Sequence, residues 1–171
     1  PERAAPFLER ARDLDQLRFR ADSRINGIIR QLWKDAEAPW LPMEAEIPLR
    51  EDHPTNALGF PHFYEHVHLS FRANFLLARA MARKLLGEEG LSAEGLDELQ
   101  WNEAAAGLAY TTFEAWRILG EIEQRFSEAP FTGIPGYDQL TAWMDRLREG
   151  LGQRIAKAEE KARLQGVYEA A

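Results

Sequence analysis

Cysteine is absent from the 171 residues. That removes disulfides, thiolate nucleophiles and thiolate metal sites, and it leaves the compartment unread. Long apolar runs are missing as well. None approaches the roughly 20 residues that span a bilayer, and the opening residues lack a signal-peptide pattern. Basic charge is scarce: 21 lysines and arginines stand against 28 aspartates and glutamates, for a net charge of −7. Phosphates would meet a like-charged surface, so no nucleic-acid partner is expected. No internal repeat of tetratricopeptide length occurs, and the Ala/Glu/Lys-rich end (156–164) could at most begin one. Proline rather than methionine stands first, so the chain is expected to have been cut from a longer one.

What is present suits a folded, soluble protein with one good core: 45% of the residues are hydrophobic and 29% charged. Phe7, Leu8, Ala11, Leu14 and Leu17 recur at helical intervals over residues 1–20. Asp22 or Ser23 can cap a second helix carried by Ile25, Ile28, Ile29, Leu32 and Trp33. Prolines 39, 42, 48, 54 and 61 then break the pattern. Trp40-Leu41 and Ile47-Pro48-Leu49 read as short extended pieces, and any sheet should come from residues 34–50. Trp40 is a candidate surface contact. A helix follows over residues 71–86, with Phe71, Phe75, Leu76, Met81, Ala82, Leu85 and Leu86 inside and Arg72, Arg79, Arg83 and Lys84 towards water. Gly87 and Gly90 stop it. A short helix over 92–99, a long one from about 102 to 128 and a last one from about 137 to 168 complete the chain. The fold class is therefore mainly α: four or more helices packed as an irregular bundle, with little or no sheet.

Chemistry concentrates just before the helix at 71–86. Three of the four histidines, His62, His66 and His68, lie within seven residues, and Glu65 precedes His68 by three. A carboxylate accepting from one imidazole nitrogen leaves the other free as a general base. A metal is the rival use. His62 and His66 share a face if helical, and Glu65 or His68 could complete the site, the latter giving a set of His62, His66 and His68. A third reading gives the block ordinary structural hydrogen bonds. No cofactor is implied, since the tryptophans fall at helical spacing with other apolar residues.

The run Glu65-His66-Val67-His68-Leu69-Ser70, followed by Asn74-Phe75-Leu76-Leu77-Ala78-Arg79-Ala80, resembles the last sequence block of SGNH/GDSL-type hydrolases. There an acid and a histidine three residues later precede the final helix of an α/β/α domain. The resemblance is closer still to bacterial proteins that join an SGNH-like domain to tetratricopeptide repeats. It extends to residues 11–30 and to 108–132, and Arg72 and Ala73 depart from it where Glu-Gly is expected. It implies that residues 1–90 are the C-terminal portion of an SGNH-like domain and that 91–171 form a helical extension or linker. It also implies that His68 is the catalytic base and Glu65 its orienter. No Gly-Asp-Ser or Gly-Glu-Ser is present, and Ser23, Ser70, Ser92 and Ser127 sit in helical or helix-cap contexts. The chain then holds half of a triad and is expected to be inactive alone, an esterase only if completed by upstream sequence. Its partners would be that missing half or other protein chains. Membrane contact would come only through an anchor of the extracytoplasmic, membrane-tethered parent that the resemblance suggests. The alternative is a helical interaction or structural subunit of a larger assembly, with a vestigial histidine block.

Overall fold

The computed structural model describes residues 5–16, 21–35, 42–52, 58–59, 61–65 and 67–169, with side chains described between 6 and 159. Trp40-Leu41 and His66 lie outside the described residues. Among the described residues the protein is helical, with seven α-helices, one 3₁₀ turn and no strand. The expected bundle of helices is what forms. The chain divides into two compact units, Pro1–Trp101 and Asn102–Ala171.

In the first unit, α1 (Ala5–Asp13) and α2 (Ser23–Asp35) are joined through Asp13, whose carboxylate accepts from the Ser23 backbone N–H at 2.9 Å. Asp22 rather than Ser23 caps α2: its Oδ1 accepts from the Ile25 N–H at 2.8 Å. The proline-rich stretch holds a helix, α3 (Glu46–Glu51), where extended chain was expected at Ile47-Pro48-Leu49. Pro48 is its third residue, inside the first turn, where no N–H has an intrahelical partner, so proline loses nothing there.

Helix α4 (Phe71–Glu88) begins at Ser70, whose hydroxyl accepts from the Ala73 N–H at 3.2 Å. It ends in a Schellman motif. Gly90 takes φ +67° while Leu91 N–H reaches Leu86 C=O at 2.8 Å and Gly90 N–H reaches Gly87 C=O at 3.2 Å. Leu49 of α3 packs with Ala73 and Leu76 of α4, supported by Leu58, Leu69 and Phe75. Six residues of α3 span about 9 Å and the 18 of α4 about 27 Å, which is why Met81 and Leu85, expected inside, remain exposed. The expected helix at 92–99 is a series of turns instead. Gly95 at φ +87° breaks it, a backbone state that a helix does not contain.

The second unit breaks the expected long helix into α5 (Trp101–Gly107) and α6 (Thr112–Phe126). The break is a second Schellman motif: Tyr110 N–H donates to Ala105 C=O at 2.8 Å and Ala109 N–H to Ala106 C=O at 3.1 Å. Ala109 occupies the left-handed position at φ +54°. Thr111 then caps α6 by accepting from the Glu114 N–H at 3.2 Å, and Thr-x-x-Glu is the matching sequence signature. Helix α7 (Tyr137–Glu169) packs on α6, with Leu119, Ile122, Phe126, Leu140 and Met144 buried between them. Arg148 lies along α6. Its guanidinium sits 4.5 Å from the centre of the Trp116 ring and donates to Glu123 at 2.6 Å. A β-carbon at Gly120 would come within 2.8 Å of that guanidinium, so glycine is what admits it.

Helix α2 has no buried residue, although Ile25, Ile28 and Leu32 form an apolar stripe along it, 43%, 51% and 63% exposed.

The left-handed alanine yields a direct test. A β-carbon in that conformation costs about 1–2 kcal/mol, and glycine gives back part of the relief through its freer unfolded chain. Ala109→Gly is expected to stabilise the second unit by about 0.5–1 kcal/mol, read as a rise of a few degrees in its thermal midpoint. A lowered midpoint would contradict the helix break at 109.

Candidate functional site

Residues 62–70 form a tight hairpin closed by one antiparallel bridge, Phe63 to Leu69. Ser70 N–H donates to His62 C=O at 2.8 Å, and Tyr64 N–H donates to His68 C=O at 2.9 Å. The Ser70 hydroxyl, besides capping α4, donates to Pro61 C=O at 2.9 Å. The hairpin is thereby fastened to the first turn of α4, and the tip from 64 to 68 must turn sharply. The amides of Val67 and His68 at that turn need an acceptor.

Glu65 is that acceptor. The side chain folds back under the turn, where Oε2 accepts from Val67 N–H at 2.9 Å and Oε1 from His68 N–H at 2.7 Å. Oε1 also meets Nδ1 of the His68 imidazole. Glu65 is buried at 7% exposure, and a buried carboxylate is tolerated where several donors surround it. His68 is the opposite: its ring is 66% exposed. With Nδ1 turned to the carboxylate, Nε2 is left on the solvent side. One short turn thus presents an oriented imidazole with an available nitrogen.

Behind the hairpin lies a second polar group. His62 is completely enclosed. Its Nε2 faces Asp52 Oδ2 at 3.6 Å, an electrostatic contact longer than a hydrogen bond. The other carboxylate oxygen of Asp52 accepts from Arg72 Nη2 at 2.7 Å. Asp52 is the C-cap of α3, so α3, the hairpin and α4 meet at one carboxylate.

Of the residues named from sequence, Glu65 and His68 are therefore brought together and His62 is turned inwards, away from them. Among the described residues no group of three histidines, aspartates or glutamates is arranged to hold a metal ion; His66, part of the alternative metal set, is outside those residues. The serine hydroxyls are engaged elsewhere. Ser23 accepts from Arg12, Ser70 serves Pro61 and Ala73, Ser92 accepts from Glu94 N–H, and Ser127 donates to Gln124 C=O. A cavity of about 230 Å³ opens between α3 and α4, lined by Asp52, Arg79 and Arg83 among others, and neither Glu65 nor His68 lines it. Asp52 was missed from sequence. Its two partners stand ten and twenty positions away, too far for any spacing rule to connect them.

Comparison with protein families, with curated proteins and with solved structures finds no match for the chain. The site's chemistry therefore rests on its own geometry. An imidazole held by a carboxylate at Nδ1, with Nε2 open, can accept a proton from a hydroxyl and later return it. The four serine hydroxyls of the chain bond to groups other than His68.

Removing the carboxylate should show how much it holds. Glu65→Ala leaves two turn amides without their charged acceptor, at about 1–3 kcal/mol for a buried charge-assisted set. The first unit is expected to lose stability in that range in urea unfolding, with the second unit unchanged. An unaltered transition would mean that the carboxylate does not hold the turn.

Proposed function

We propose that the chain carries the acid/histidine half of an SGNH-like acyl-ester hydrolase site and serves a hydroxyl nucleophile supplied from outside its own residues. The observation that carries this reading is the engagement of Glu65 with His68 Nδ1, which leaves an exposed Nε2. In the reaction so proposed, Nε2 takes the proton of an attacking serine hydroxyl as its oxygen bonds to the acyl carbon. The same proton then passes to the departing alcohol oxygen as the ester bond breaks. Water repeats the cycle on the acyl-enzyme, restoring the serine. Glu65 keeps the Nδ1–H tautomer in place and offsets the charge of the imidazolium.

A second reading has an observation of its own. The exposed stripe of Ile25, Ile28 and Leu32 on α2 favours a helical interaction module that packs against another chain, its histidine block serving the hairpin alone. Both readings expect a protein partner, and they differ in whether His68 does chemistry there.

Co-expression of the chain with whatever segment the gene encodes upstream of Pro1 separates them. Hydrolysis of p-nitrophenyl acetate by the purified complex should fall at least about a hundredfold in His68→Ala, with a smaller loss in Glu65→Gln. A coding sequence that starts immediately before Pro1, a complex without hydrolysis, or full activity in His68→Ala would remove the hydrolase reading and leave the interaction module.

A further inference from the structure

Glu65 and His68 sit at the hairpin tip. Five residues separate His62 from His68, and Glu65 accepts from the Val67 and His68 amides in the turn between them. The base of the hairpin ties that turn to the helices, through the Ser70 cap and through His62. Its N–H donates to Gly59 C=O at 2.8 Å and its C=O accepts from Ser70 N–H at 2.8 Å, while its ring is fully enclosed at the α3–α4 junction. Enclosing an imidazole costs free energy unless something polar or charged faces it. Asp52 faces it from the end of α3 and is in turn held by Arg72 in the first turn of α4.

We propose that Asp52, through His62 and Arg72, is the positioning residue for the Glu65–His68 pair: it sets where the hairpin leaves the helices and so where Nε2 of His68 is presented. Asp52 touches neither Glu65 nor His68 in this role and acts through the hairpin base. The assignment takes its purpose from the hydrolase-like reading above, but its geometry and its test do not depend on catalysis. Among the described residues, Asp52 from α3, His62 from the hairpin and Arg72 from α4 meet here, and Asp52 and Arg72 can be altered without opening the core. Arg72 is 46% exposed and Asp52 15%.

The test is amide hydrogen exchange of the whole chain, resolved by residue, in Arg72→Ala, Arg72→Lys and Asp52→Asn. Positioning predicts that exchange at Val67 and His68 quickens about tenfold or more in Arg72→Ala and Asp52→Asn, while Leu76 and Ala80 within α4 stay within about twofold of wild type. Arg72→Lys keeps a cation for Asp52 and should restore most of the protection. The proposal is overturned if Val67 and His68 exchange as in wild type in both disabling variants. It is equally overturned if Leu76 and Ala80 quicken in the same proportion, since the group would then merely stabilise the unit, or if Arg72→Lys behaves like Arg72→Ala. None of these readouts uses an ester, so a failed hydrolysis assay and a failed positioning test remain separate results.

Discussion

The hairpin tip depends on one buried carboxylate. Glu65 accepts from the amides of Val67 and His68 while also holding the imidazole of His68. One acidic side chain thereby does two jobs that proteins often divide, closing a turn and fixing the orientation of a ring. The coupling has a consequence for chemistry. The ring cannot be reoriented without disturbing the turn, and the turn cannot open without releasing the ring. Such preorganisation is what a general base needs, because the proton transfer then requires no rearrangement at the moment of reaction.

Much of this was legible in the sequence, and the remainder was hidden for identifiable reasons. Helix α4 announced itself through apolar spacing, a serine at its start and a glycine just past its end, and all three operate as local rules. The Glu65–His68 contact spans three residues, within the reach of local reading. The break at 107–111 went unseen because the left-handed position is filled by Ala109 rather than by the neighbouring Gly107, although Thr111 and Glu114 spelled out the cap. Helix α3 was masked by its proline, which reads as a breaker unless the helix start is already known. Asp52 could not have been found at all. Its significance comes from bringing positions 62 and 72 to one point, a tertiary fact without a sequence period.

The uncovered surface bears on both functional readings in the same direction. Among the described residues, Leu49, Ala73 and Leu76 form the buried apolar cluster of the first unit, while Ile25, Ile28 and Leu32 of α2 are exposed. At roughly 25 cal/mol per Å² of apolar surface, covering such a stripe would contribute several kcal/mol to an association. An oriented imidazole that is 66% exposed fits the same picture, because a covering partner would enclose it. The proposed half-site and the proposed interaction surface are in this sense one expectation about incompleteness, reached from chemistry and from packing separately.

Whether Glu65 presents His68 as a base is decided by which ring nitrogen of His68 carries the proton. Nitrogen-15 chemical shifts of the His68 ring, recorded at a pH where the imidazole is neutral, report this directly. The structure predicts that Nδ1 is protonated and Nε2 is not, and that Glu65→Gln abolishes this preference. A ring that carries its proton on Nε2, or one whose tautomers are unaffected by the loss of the carboxylate, would contradict the claim that Glu65 presents His68 as a base.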